Sequence, residues 1–187
     1  MNVALPRSLD VDQFLAWAVQ QEQGKYELID GVVVMQQAQQ WGHAKVKLAV
    51  TMALHEVIRN AGVAFYVAVD GPTVRITEHL AFIPDSLVAP LPEPALESLE
   101  IPNPVVVVEV LSPSTARIDA TTKLRGYFQV PSIQHYLIVD PEGRTITHHK
   151  RGTGTALETR IVGDGALGLD PPGIEIQVSH LFGSTSP

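Results

Sequence analysis

The run Val105 to Leu111, Val-Val-Val-Val-Glu-Val-Leu, restricts the folds open to this chain more than any other stretch. It is too short for a buried helix. An apolar run rich in β-branched residues suits a central strand covered on both faces. Such a strand needs partners on either side and layers above and below it. The chain must therefore build a sheet with helices on its faces. One charge interrupts the run. If side chains alternate, Glu109 shares a face with Val105, Val107 and Leu111. A lone carboxylate there would be neutralised or would destabilise the fold, so it needs a cation. That cation is Lys123 or Arg125 of this chain, or a divalent metal; a strand end that reaches water is the other solution.

The remaining elements fit this frame. Val11, Phe14, Leu15 and Ala18 recur at helical spacing, with Ser8 or Asp10 as the cap and Gly24 as the stop. Tyr26 to Met35 reads as a hairpin turning at Asp30-Gly31. Within it Tyr26, Leu28 and Asp30 face one way, Glu27 and Ile29 the other. Gly42 to Ala61 predicts a helix whose stripe is Val46, Ala49, Val50, Ala53, Leu54, Val57 and Ile58, closed by Gly62. Strands are expected at 64–69 and 73–76 around Asp70-Gly71-Pro72, and again at Ser86 to Ala89. Pro90 to Pro104 carries five prolines and reads as a surface loop. Asp119 to Val130 predicts a helix with Leu124, Tyr127 and Phe128 inward. His135 to Asp140 and Thr145 to His149 form a second hairpin, followed by short strands and a last short helix near Ser179. The expected architecture is a mixed α/β domain spanning residues 1–187.

Composition narrows the chemistry. The chain has no cysteine, which excludes disulfides and thiolate metal sites and fits a reducing cytoplasm. No apolar run approaches a membrane span, and the first ten residues lack the pattern of a signal peptide. Thirteen Lys and Arg stand against 20 Asp and Glu, a formal net charge of −7. Contact with nucleic acid must then be local, built from a minority of residues or assisted by a metal.

Several residues could carry chemistry, each with a plainer reading beside it. Asp85 follows a proline and precedes an apolar strand; it is a turn residue, or one of two carboxylates on neighbouring strands. Two carboxylates without thiolates suit hard cations such as Mg²⁺ or Mn²⁺. Lys123 lies one turn after Asp119, as an exposed helix pair or as a cation reaching across to the acids. Glu27, on the face opposite Tyr26 and Leu28, reads as the solvent face of a hairpin. His43 is a polar first-turn residue or an anion contact near a helix N-terminus. His148 and His149 are adjacent on a strand and point to opposite faces, a poor chelating pair, so they read as surface or packing residues. No Gly-rich phosphate loop, Gly-x-Ser-x-Gly elbow or His-Glu-x-x-His motif is present.

Six motifs in order carry a resemblance: Tyr26-Glu27-Leu28-Ile29-Asp30-Gly31, Gly42-His43, Ile83-Pro84-Asp85, Val108-Glu109-Val110-Leu111-Ser112-Pro113-Ser114, Asp119 to Lys123, and Tyr136-Leu137-Ile138-Val139-Asp140-Pro141. The chain resembles the Uma-two family of restriction-endonuclease-like proteins, within the PD-(D/E)XK nuclease superfamily. The resemblance implies a restriction-endonuclease-like core in which Asp85, Glu109 and the carbonyl of Val110 hold Mg²⁺ or Mn²⁺. The superfamily places its lysine two residues after the acid. Here that position is Leu111, and Lys123 on the following helix matches instead. Glu27 and His43 match further polar positions, and Asp119 would hold Lys123. The implied activity is hydrolysis of phosphodiester bonds in DNA, with Lys123 assisting. A homodimer is implied, formed through Pro90 to Pro104 or the C-terminal strands. A fold hosts many functions; a non-catalytic binding module and a hydrolase of small phosphoesters are the other readings.

Overall fold

The computed structural model describes residues 8–36, 39–111 and 119–183, the side chains of 119 and 120 excepted. The Ser112-Pro113-Ser114 motif lies outside them. The described helices are α1 (Val11–Ala18), α2 (Trp41–Ala61) and α3 (Asp119–Tyr127), with a closing 3₁₀ turn at Val178–Phe182. A six-stranded sheet is built from β3 (Phe65–Val69), β6 (Ser86–Pro90), β7 (Val106–Val110), β8 (His135–Asp140), β9 (Thr145–Arg151) and β10 (Leu157–Val162), in the order β10-β9-β8-β7-β6-β3. It is mixed: β7 and β8 run parallel across the α3 connection, and the other neighbours are antiparallel. The strand that the apolar run demanded lies inside this sheet, and Val106, Val107 and Val108 have no exposed surface.

One face of the sheet carries Val88, Val106, Val108 and Leu137 against Val46, Val50, Leu54 and Ile58 of α2. The other carries Leu87, Val107 and Ile138 against Tyr127 of α3 and Phe82. Val105 packs with the α2 side and not with Val107. It precedes the strand, so the alternation that pairs 107 with 109 does not extend to it. The helix α3 ends at Tyr127 rather than Val130, because the N–H groups of Gln129 and Val130 fold back onto Gly126 and Tyr127 in tight three-residue turns. Gly126 is where α3 presses on the Phe82 ring; a methyl group there would collide with it.

Local signals explain several boundaries. Asp10 caps α1 and Gln13 returns the bond, a reciprocal capping box. Asp30 and Gly31 both hold positive φ, 50° and 78°, as a type I′ hairpin turn requires. Gly62 ends α2 in the left-handed conformation.

Two features depart from the sequence expectation. A separate four-stranded sheet forms in the order β2-β1-β5-β4, from β1 (Tyr26–Ile29), β2 (Val32–Met35), β4 (Val74–Thr77) and β5 (Leu80–Phe82). The strand β5, three residues long, carries no period of its own to announce it. The turn Asp70-Gly71-Pro72 also does not close a hairpin: β3 pairs with β6, while β4 pairs with β5 in the smaller sheet. The chain crosses between sheets there and crosses back at Ile83-Pro84-Asp85. A third, two-stranded sheet joins β11 (Ala166–Leu169) to β12 (Ile174–Gln177). Among the described residues no helix is long and apolar enough to cross a membrane.

Candidate active site

The charged side chains gather where the two large sheets meet. Asp85 sits on the returning crossing, just before β6, and is 7% exposed. Its backbone N–H donates to the carbonyl of Val108 at 3.0 Å, which pins it beside β7. Its Oδ2 accepts the N–H of Val110 at 2.7 Å and lies 3.4 Å from His43 Nε2. Its Oδ1 is 2.7 Å from Lys47 Nζ. Burial alone would raise the Asp85 carboxyl, but His43, Lys47 and the Val110 N–H outweigh it and hold it below the ordinary carboxylate range. Asp85 is therefore no turn residue in water.

Glu109 projects from β7 toward α3, as alternation required. Lys123 Nζ donates to its Oε1 at 2.9 Å and Tyr127 Oη donates to the same oxygen at 2.6 Å. The Lys123 ammonium is also 3.1 Å from Glu27 Oε1, which accepts the backbone N–H of Ile83 at 3.0 Å. Burial pushes Glu109 up to about 8; Lys123 opposes the rise, and the like charges of Asp85 and Glu27 add to it. Lys123 is no exposed helix residue: it is only 5% exposed and turned onto the two glutamates. The Asp119 side chain lies outside the described residues. Glu27, 4% exposed, is not on a solvent face either. Its strand β1 is covered on both sides, by α1 at Leu28 and by the carboxylate cluster at Glu27. His43 reaches Asp85 from the first turn of α2, and its Nδ1 is buried without a partner.

Sequence reasoning missed Tyr127 and Lys47, and read Asp70 only as a turn residue. Tyr127 was assigned to the apolar stripe of α3, and its ring is indeed buried, but its hydroxyl serves Glu109. Lys47 was absent from every expectation. It lies on the buried face of α2 at 4% exposure and joins Asp85 to Asp70, 2.9 Å away, with Gln39 Oε1 at 3.2 Å. Asp70 also pairs with Lys25. The available signal was spacing: His43, Lys47, Val50 and Leu54 follow one another by four, three and four residues, so Lys47 sits inside the core-facing stripe.

The cluster thus holds two buried lysines, each joining two carboxylates: Lys47 between Asp70 and Asp85, Lys123 between Glu27 and Glu109. The two oxygens of Asp85 are both engaged, whereas among the described residues protein donors reach Glu109 only at Oε1. Val110 gives its N–H to the Asp85 side of β7, and in an extended strand its carbonyl faces the same way. Among the described residues no three His, Asp or Glu side chains converge closely enough to enclose a metal unaided. His148 and His149 are both buried and on opposite faces, His148 Nε2 against His135 Nδ1 at 2.9 Å and His149 Nδ1 against Thr159 Oγ1 at 2.8 Å; they are packing residues. A groove of about 970 Å³ runs along the outer side of α2, lined by Lys45, Leu48, Met52, Glu56, Arg59 and Arg144, and does not include Glu27, Asp70, Asp85 or Glu109.

This architecture is shared with a crystal structure from Anabaena variabilis ATCC 29413, described as "a putative nuclease belonging to DUF820". The TM-score is 0.73 at 16% identity, over 93% of this chain and 97% of that one. Residues 11–180 match the family model Uma2, described as "Putative restriction endonuclease", and the chain belongs to that family. A Synechocystis sp. relative, "Uncharacterized protein sll1609", is 32% identical over 69 residues, which span 36% of this chain and 39% of the relative.

Proposed function

We propose that the protein is a metal-dependent nuclease hydrolysing phosphodiester bonds in DNA, with Asp85, Glu109 and the Val110 carbonyl as the ligands of Mg²⁺ or Mn²⁺. One observation carries the reading. Asp85, just before β6, and Glu109 on β7 lie together with side chains only 10% and 14% exposed, and each is paired with a buried lysine. Burial penalises charge that does nothing, which makes such a cluster a functional-site candidate. The donor set fits the ion: each donor is a hard oxygen, and Mg²⁺ binds through one or two carboxylates while waters and substrate phosphates complete its shell. The ion would lower the pKa of a bound water and neutralise charge on the phosphate. Lys123 positions Glu109 and supplies positive charge beside it. Glu27 and Tyr127 hold Lys123 and Glu109 in turn, as supporting partners, and His43 does so for Asp85. Asp119, one turn before Lys123, is proposed as a further support.

Against the acidic net charge of −7 stands a groove on the outer side of the helix that carries Lys47 inward, where Lys45, Arg59 and Arg144 outnumber the one carboxylate, Glu56. That is the footprint a short stretch of phosphate backbone would use. A homodimer would place two sites on one duplex. The absence of cysteine suits a cytoplasmic protein.

The first test is thermal. Mg²⁺ or Mn²⁺ raises the melting temperature of the intact protein, and Asp85→Asn abolishes the shift; no shift in the intact protein would refute the metal site. Cleavage assays on single-stranded, duplex and branched DNA, beside a small phosphodiester, then define the substrate. Light scattering gives the oligomeric state.

A further inference from the structure

The two lysine bridges are not equivalent. Among the described residues Glu109 accepts both of its protein donors at Oε1, and none of them reaches Oε2. Asp85 has both oxygens engaged: Oδ2 by the Val110 N–H and His43, Oδ1 by Lys47. Asp85 Oδ1 already carries the Lys47 ammonium, so a cation that takes this oxygen meets a positive charge that repels it. The Val110 N–H belongs to a central strand and cannot leave without breaking the sheet. Lys47 can move, because its ammonium ends a flexible four-carbon stem. It also has somewhere to go. Asp70 Oδ1 lies 2.9 Å from Nζ, and the Asp70 side chain, 28% exposed, sits on the other crossing between the sheets. Gln39 Oε1 at 3.2 Å accepts on the same side.

We propose that Lys47 is a displaceable counter-ion, holding Asp85 in the cation-free protein and withdrawing onto Asp70 when a divalent cation takes Asp85. This rests on the metal reading above and adds a residue that the motifs do not contain. Lys47 is here a positioning residue, acting through Asp85. Its charge keeps a buried carboxylate paired while no cation is present, since an uncompensated carboxylate there would destabilise the fold. The same charge competes with the incoming ion, so Lys47 sets the affinity. Asp70 sets how readily Lys47 retreats.

Calorimetric titration of the full chain with MnCl₂, without substrate, tests this in wild type, Lys47→Met and Asp70→Asn. Methionine keeps the unbranched stem on the buried face of α2 and removes the charge. Asparagine suits the positive φ of 40° at position 70, so the turn is kept while the charge is lost. The expected result is Mn²⁺ binding about tenfold tighter or more in Lys47→Met, because a nearby positive charge is gone. In Asp70→Asn, binding is several-fold weaker, because Lys47 has lost its refuge. Mn²⁺ also restores the melting temperature that Lys47→Met loses. If Lys47→Met does not fold, Asp70→Asn decides: unchanged or tighter Mn²⁺ binding there overturns the proposal. Wild-type binding with Lys47→Met equal or weaker overturns it too, and leaves the metal site standing. Absence of Mn²⁺ binding by wild type overturns the metal reading and this proposal together.

Discussion

Replacing Tyr127 by phenylalanine isolates one hydrogen bond of the cluster. The ring is fully buried between Phe82 and Tyr136, with centroids 5.3 and 5.0 Å away, and phenylalanine keeps that packing. What is lost is the Oη donor to Glu109 Oε1 at 2.6 Å. When Glu109 is ionised this bond is charge-assisted, and its loss costs roughly 1.5–3 kcal/mol. When Glu109 is protonated the bond is neutral, and the cost falls to about 0.5–1.5 kcal/mol. Burial holds the folded Glu109 at about 8, so the two regimes lie on either side of that pH. Burial and the nearby carboxylates keep the Tyr127 hydroxyl itself well above its ordinary range, so it stays protonated throughout. Urea unfolding of wild type and variant at about pH 6 and about pH 9.5 gives the comparison. The variant is less stable at both, and the deficit is larger at the higher pH. For a chain of this size the high-pH loss corresponds to a melting shift of roughly 3–12 °C. A deficit equal at both pH values would refute the assignment of the bond to an ionisable Glu109. No deficit at either would refute the bond.

Other outcomes follow from the same geometry. Glu109 binds its proton more tightly in the folded than in the unfolded chain, about 8 against 4.5. Its contribution to stability is therefore fully present below 4.5 and is lost as pH rises toward 8; Glu109→Gln flattens that decline in a pH series of unfolding curves. Gly126→Ala destabilises the protein although alanine favours helix by about 1 kcal/mol over glycine, because overpacking against the buried Phe82 ring costs about 1–3 kcal/mol; thermal unfolding measures the net loss. Leu54→Ala, at a position with no exposed surface under the main sheet, costs about 2–5 kcal/mol by denaturant titration. Lys123→Met leaves Glu27 and Glu109 without their shared cation, lowers the melting temperature and removes phosphodiesterase activity from metal-loaded protein.

The sequence by itself determined the strand at 106–110, its place inside a sheet and the face that Glu109 occupies. Each of these follows from a short apolar run and strict alternation, which are local properties of the chain. It also determined the Asp30-Gly31 turn and the end of α2 at Gly62, since positive φ is a local property too. The family motifs drew Asp85, Glu109, Lys123, Glu27 and His43 into one proposed site, and the fold brings all five within one cluster. Only the tertiary structure decided the rest. Whether 64–77 closes a hairpin depends on which edge each strand finds, and two sheets competed for them. Lys47 reads as one more polar residue on a helix until the sheets place Asp70 and Asp85 around its ammonium. Tyr127 reads as core until β7 presents Glu109 to its hydroxyl. A charge can be buried only where another chain segment supplies its partner, and that partner lies 23 and 38 residues from Lys47, 18 from Tyr127. Pattern within a segment reveals which face is inward. The partner that makes a buried charge tolerable is fixed only by what the folded chain brings opposite it.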